Sequence, residues 1–295
     1  MWTKPWTLQE GFLIGGGLLV AGLALETSVG PVVWEGFRWP VNGIVLSFFL
    51  TMLSYMGLLY HKVYAFRFLT TYTAAIPALI IAVVLTLIMG LTRQTVDGTG
   101  LSNMLSFWPF VLIYVYIAII LGLIILKRLR HLSSWSRDIP FLLNHLGLFL
   151  ALVCATLGNA DMQRLKMITI EGEPEWRAMD QHHQIVELPI AIELKQFVME
   201  VYDDGSPKRF ASVIQILTQS GKNITTTVDV NKPVEVDGWK IYQYGYDTER
   251  GMMSQTSILE LVSDPWLPLV YTGIFMMLLG ALCLFFTARK HPSSH

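Results

Sequence analysis

His145 has the clearest capacity for chemistry in this chain. It lies inside an apolar run, 140–157, five residues past Pro140. At 1.5 Å per residue that is roughly 8 Å beyond the start of the run. Ionisable side chains at such depth are rare and mark functional sites by default. A neutral imidazole in a dry setting suits axial ligation of iron. It equally suits a neutral histidine bonded to a neighbouring carbonyl, and the residues alone leave both open. The same run carries Gly147, Ala151 and Ala155 at intervals of four, with Cys154 and Gly158 close in angle. Small residues so spaced let helices approach closely. At 100° per residue His145 projects away from that stripe. One side can pack while the imidazole faces a ligand or a partner.

The other candidates point to less. Cys154 and Cys283 fall toward opposite ends of two apolar runs. Their depths differ by roughly 20 Å, too far for a disulfide. With no Cys-x-x-Cys, the chain is no dithiol reductant by itself. His182 and His183 are adjacent in a polar stretch, and neighbours on an extended chain point opposite ways. They read as a solvated loop. His61 and His131 sit among basic residues as interface anchors. No nucleophile elbow, phosphate loop, zinc-protease motif or dinucleotide fingerprint occurs, so the chain shows no catalytic constellation of its own.

The elements that position His145 follow from composition. Only 15% of the 295 residues are charged and 53% are hydrophobic, whereas soluble domains carry about 25% charged residues. A formal net charge of −1 gives no electrostatic case for nucleic acid. Six runs are long and apolar enough to span a bilayer: 12–28, 41–60, 73–91, 107–126, 140–157 and 267–287. The first is glycine-rich, and Gly22-Leu23-Ala24 at its end fits a signal-peptidase site, although the head lacks a basic cluster. We expect it to be retained. Lys4, Lys62, Arg67, Lys127, Arg128, Arg130, Arg137, Arg289 and Lys290 fall in one set of loops; Arg38 and Arg93 fall in the other. The positive-inside rule places the first set in the cytoplasm. Trp34, Trp108 and Trp266 then mark outer boundaries and Trp135 an inner one.

Between the last two runs, residues 158–266 hold ten Lys/Arg and seventeen Asp/Glu, a net of −7, against +6 for the remainder. This acidic segment lies outside by the same rule. Strands are expected at 186–202, 210–218, 223–230, 239–246 and 255–261. Turn pairs at Asp204-Gly205, Ser220-Gly221 and Asp237-Gly238 separate them. Residues 171–184 read as an irregular loop. The fold class is a polytopic membrane protein with about six transmembrane α-helices. Between helices five and six sits an extracytoplasmic antiparallel β domain, a sandwich or partial barrel.

Several segments together resemble a known family. Val230-Asn231-Lys232-Pro233-Val234 is followed by Gly238-Trp239-Lys240-Ile241-Tyr242-Gln243-Tyr244. Ser263-Asp264-Pro265-Trp266 then leads into the last run. Upstream stand Ser106-Phe107-Trp108-Pro109-Phe110, His145-Leu146-Gly147-Leu148 and Glu171-Gly172-Glu173. In order and spacing, across about 66–287, these resemble the ResB (CcsB) family of System II cytochrome c biogenesis. The resemblance implies four parts: an additional N-terminal transmembrane hairpin (1–64), a three-helix core (65–160), the extracytoplasmic β domain (161–264), and a final helix with a cytoplasmic tail (265–295). It implies a bacterial inner-membrane subunit acting with a CcsA/ResC-like partner. Together they would carry haem across the membrane and support its attachment to apocytochrome c outside. His145 aligns with the family's membrane histidine and would be an axial ligand to a transient b-type haem shared with the partner. A thiol–disulfide reductant is a further implied partner. The alternative is a membrane scaffold that docks partner proteins and never touches haem. A secondary transporter is weaker still, because no paired repeat with broken helices appears.

Overall fold

The computed structural model describes residues 2–95 and 98–288, the side chains of 287 and 288 excepted. Arg289, Lys290, His291 and His295 lie outside the described residues. The chain forms two compact units: residues up to Asp161 together with those from Trp266 onward, and Met162–Pro265.

The first unit is helical. Its elements are α1 (Leu8–Val29), α2 (Val41–Leu58), the short α3 (Tyr64–Phe68), α4 (Tyr72–Leu91), α5 (Trp108–Arg130), α6 (Trp135–Gly158) and α7 (Leu267–Ala288). All but α3 are long and apolar enough to cross a membrane, so the six expected spans are present in a polytopic membrane protein. Helix α5 lies at the centre. It buries Ile113, Leu121, Leu123 and Ile125 among its neighbours. Helix α1 packs on α4 and α5, whereas α2 packs on α5 and α6. Glycine makes the first of these contacts close. A side chain at Gly11 would strike the Thr73 carbonyl and Pro77, one at Gly15 would strike Ile81, and one at Gly22 would lie 2.6 Å from the Pro109 backbone. Thr7 and Glu10 start α1 with reciprocal side-chain caps, the Thr7 N–H donating to Glu10 Oε2 at 2.8 Å.

The small-residue stripe of α6 seats α7. A Cβ on Gly147 would meet the Gly273 carbonyl at 2.6 Å, and one on Gly273 would meet the Gly147 carbonyl at 2.5 Å. Ala151 touches Gly273, and Gly158 lies under Trp266. Ala155 departs from the expected stripe: it is exposed. The helix also begins at Trp135, five residues before the apolar run. Pro140 therefore falls inside the helix, and His145 is about 15 Å along it rather than about 8 Å. The antiparallel seam matches Gly158 with Trp266 and Asn144 with Gly280. Cys154 and Cys283 accordingly lie toward opposite ends of the pair, as expected.

The second unit is one antiparallel sheet of eight strands: β1 (Gln163–Ile170), β2 (Pro174–Met179), β3 (Ile185–Val201), β4 (Pro207–Thr218), β5 (Asn223–Asp229), β6 (Val234–Val236), β7 (Trp239–Tyr246) and β8 (Thr256–Ser263). The spatial order is β5-β4-β3-β2-β1-β8-β7-β6. The sheet curls until its ends meet: Lys222 on the β4–β5 turn pairs with Asp237 on the β6–β7 turn at 2.9 Å. Leu165, Met167, Ile190, Ile192, Ile214, Ile216, Ile241 and Leu259 fill the interior. The three expected turns are present; Asp237 and Gly238 have φ of +47° and +84°, as the tight β6–β7 hairpin requires.

One expectation is overturned. Residues 171–184 are not an irregular loop throughout, because β2 occupies Pro174–Met179 and pairs with β3 across a bulge between Glu175 and Arg177. Only Ala178 of this strand is buried, which leaves no apolar alternation to read. Strand β1 was not expected either. Its inward positions are Leu165, Met167 and Thr169, while Ile168 and Ile170 face out, so its pattern is blurred on both faces. The three-residue β6 is too short to show a period.

Candidate functional site

The site is built around α6. Asp138, in its first turn, is 3% exposed. It ties down the chain that enters the helix: its Oδ2 accepts from Ser133 N at 2.6 Å and Ser134 N at 2.8 Å. Its Oδ1 meets Arg128 Nη2 of α5 at 2.5 Å. This clasp fixes α6 against the end of α5. The Arg128 guanidinium then lies 5.2 Å from the ring centre of Phe141, and Phe141 stacks on His145 at 3.9 Å with planes 19° apart. An ordered row therefore runs from Asp138 through Arg128 and Phe141 to His145.

His145 is half-buried. Its Nδ1 lies 2.9 Å from the Phe141 carbonyl, one helical turn back. A carbonyl can only accept, so Nδ1 carries the proton. The lone pair is then on Nε2, which has no partner among the described residues. Metal-binding histidines take this form, with one nitrogen anchored by a carbonyl and the other left basic. Asn144 uses the same back-bond, donating to the Pro140 carbonyl at 2.8 Å.

His145 stands where two cavities adjoin. The first, about 310 Å³, is walled by Ala75, Ala78, Ile117, Ile120, Leu148 and Met277, among others. Alanines on α4 leave this space because they fill so little of the gap to α5. The second, about 450 Å³, shares Ala75, Ile124 and His145 with the first and adds Thr70, Thr71, Lys127, Arg128 and His131. One lobe is thus apolar and the other basic. A larger apolar cavity, about 600 Å³, lies between α2, α5 and α6 and includes Phe48, Phe49, Tyr114 and Thr156 in its walls. It presents no histidine, cysteine or charged group.

The sequence singled out His145, and the structure gives it a groove. His61 packs edge-on against Tyr60 at 4.9 Å, an anchoring contact. His131 instead borders the basic lobe. His182 and His183 fall on the β2–β3 turn, where Asp180 Oδ1 accepts from the His182 and Gln184 amides, each at 2.8 Å. Among the described residues no group of three His, Cys, Asp or Glu side chains converges on a metal position.

Asp161 was overlooked in the sequence. It follows α6 and accepts three hydrogen bonds: from Trp39 N at 2.8 Å, from Asn42 Nδ2 at 2.7 Å and from Trp266 Nε1 at 2.7 Å. Asn42 is fully buried. Burial pushes the Asp161 carboxyl up, but these three donors and the nearby Arg38 charge together hold it below the usual carboxylate value. Its donors are 119 and 105 residues away for Asn42 and Trp266, so nothing local signals the site.

Comparison with known proteins adds a family. The model of the ResB-like family matches residues 133–259, a stretch that includes His145 and most of the β domain. The cytochrome c biogenesis protein CcsB of Prochlorococcus marinus subsp. pastoris is 29% identical over 116 residues, 39% of this chain and 26% of that protein. The protein of the same name from Prochlorococcus marinus strain NATL1A is 26% identical over 102 residues, 35% and 23% of the two chains. The chain spans about a quarter of the length of the curated relatives it matches. A solved structure, the cytochrome c haem lyase CcmF, aligns with 95% of this chain and 46% of its own at a TM-score of 0.40 and 12% identity. So distant a likeness carries no argument.

Proposed function

From the premise that this chain is ResB-like across residues 133–259, we propose that it is a haem-handling subunit of a bacterial cytochrome c biogenesis complex. It acts in the inner membrane with a CcsA/ResC-like partner, passing haem outward for attachment to apocytochrome c. The basic helix ends face the cytoplasm and the acidic β domain faces the periplasm, as the positive-inside rule requires. Haem is cargo here: b-type, held transiently, and shared with the partner subunit.

The observation that carries this reading is the contact between His145 Nδ1 and the Phe141 carbonyl. With Nδ1 anchored on the Phe141 carbonyl at 2.9 Å, the basic Nε2 is the nitrogen left for a ligand. The lobe of about 310 Å³ around it is apolar and adjoins the basic lobe of about 450 Å³. An iron porphyrin fits these residues because it needs one neutral imidazole and an apolar bed. A second histidine from the partner would complete axial ligation, and such a pair sets the reduction potential of the iron. The chain's own residues do three things: Phe141 orients the imidazole, the α4–α5 wall excludes water, and the Asp138–Arg128 clasp keeps α6 in register. The β domain would dock apocytochrome c, the partner's haem-presenting part, or a thiol–disulfide reductant.

The same back-bond favours a second reading. A histidine satisfied by its own helix needs no ligand, and the chain would then be a scaffold. An optical spectrum separates the two. The chain is co-expressed with its CcsA-like partner, purified, and compared with His145→Gly, with and without imidazole. Haem bands lost on substitution and restored by imidazole support ligation by His145. An unchanged spectrum assigns the haem to the partner alone and defeats the reading.

A further inference from the structure

The basic lobe beside His145 has more order than charge topology demands. Lys127, Arg128 and Arg130 end α5, where cations suit the helix dipole and the cytoplasmic boundary. That accounts for their sign but not for the cavity among them, nor for the distribution of their partners. Arg128 is neutralised by the buried Asp138 at 2.5 Å. Lys127 has no carboxylate partner among the described residues. Its Nζ meets the Thr70 hydroxyl at 3.3 Å and lies over the Tyr60 ring, 5.6 Å from the centroid, and Lys127 also bonds the Tyr60 side chain. Thr70, Thr71 and His131 complete the polar rim. The lobe thus offers one exposed cation without a carboxylate, together with hydroxyls, next to an apolar bed.

We propose that Lys127, with the Thr70 hydroxyl beside it, forms a carboxylate seat. It selects the ionised propionate edge of the porphyrin whose iron His145 holds. The inference rests on the reading of His145 above and adds the basis of cargo selection: a flat amphipathic acid, apolar body toward α4 and α5, acid edge toward the helix ends. Lys127 offsets the desolvation of an anion entering the bilayer. Neutral porphyrin esters gain nothing from it.

The test is a spectrophotometric titration of the purified full chain in detergent. Haem and its dimethyl ester are compared on the wild type, Lys127→Gln and His145→Gly. Arg128 is left intact because it holds Asp138. The wild type should bind the free acid at least about tenfold more tightly than the ester, as a charge-assisted hydrogen bond requires. Lys127→Gln should bring that ratio toward one while leaving the absorption bands in place, since the iron ligand is untouched. Equal affinity of the wild type for acid and ester overturns the seat, as does a ratio that survives Lys127→Gln. Phosphatidylglycerol that weakens acid and ester equally assigns the lobe to a lipid phosphate and overturns it too. Failure of the underlying reading has a different signature: His145→Gly would keep the wild-type bands, whatever the ratio.

Discussion

The indole N–H of Trp266 donates to Asp161 Oδ2 at 2.7 Å, joining residues 105 positions apart. Between them runs the whole β domain, Met162–Pro265. The same carboxylate takes Asn42 Nδ2 and Trp39 N. One side chain therefore ties the start of α2, the end of α6 and the start of α7.

Replacing this carboxylate should loosen all three attachments. Asp161→Asn keeps the shape but loses the charge and presents a donor to one of its three donors. A loss of about 1–3 kcal/mol is expected, measured as a lower melting temperature in detergent with increased quenching of Trp266 fluorescence. The pH dependence has a definite sign. The folded carboxyl titrates below the unfolded one, so its contribution is complete above about pH 4 and fades as pH falls through the lower, folded value. Asp161→Asn should lose that part of the acid dependence. A melting temperature equal to that of wild type at neutral pH would refute the clasp.

The α6–α7 seam should tolerate almost no added volume. Gly147→Leu would drive a side chain into the Gly273 carbonyl, which already lies 2.6 Å from the position of a Cβ. Overpacking of this kind costs about 1–3 kcal/mol. The expected outcome is a lower melting temperature and faster proteolysis near α7. Gly17→Leu, at a position with nothing within 4 Å, is the control and should behave as wild type. Equal behaviour of the two variants would remove the seam from the stability of the fold.

Inside the β domain a buried polar chain crosses the sheet interior. Ser212 of β4 donates to Ser257 of β8 at 2.7 Å, and Gln243 of β7 donates to the same hydroxyl at 2.9 Å. Ser257→Val would strand the Ser212 hydroxyl in an apolar core at about 1–3 kcal/mol, while Gln243 would keep the Gly245 carbonyl at 2.9 Å. Hydrogen exchange of the intact protein should quicken in β7 and β8 first. Unchanged protection there would show that the network is dispensable.

Charge makes a prediction about partners. Residues 158–266 carry a net of −7, which steers basic partners through association rate more than through final affinity. If a basic apocytochrome c docks here, its association should slow several-fold between about 50 and 500 mM salt, as screening shortens. A salt-independent rate would exclude this steering.

How much the sequence revealed depended on the range of the interaction. Membrane helices declare themselves residue by residue, so all six spans were readable, and so was β3, whose buried positions are uniformly apolar; β7 was readable although Gln243 sits among its buried positions. Strand β2 hid because it buries only Ala178, and β1 because Thr169 sits inside while Ile168 and Ile170 sit outside. His145 was visible by its type alone. Its tautomer was not, because that depends on a backbone carbonyl. Lys127 and Arg128 looked like topology markers until their neighbours on α4 and α6 were known. Asp161 looked like one acid among seventeen, because its donors come from residues 39, 42 and 266.

The curled sheet has one more consequence. Its first and last strands, β1 and β8, are neighbours in full register from Gln163–Ser263 to Ile170–Thr256. The domain therefore departs from the chain and returns to it at one edge-to-edge doorway, the geometry of an insertion. A guest attached in this way can be exchanged or enlarged without re-threading its host. Within such an arrangement, the β domain can diverge between lineages while the helical frame around His145 stays as it is.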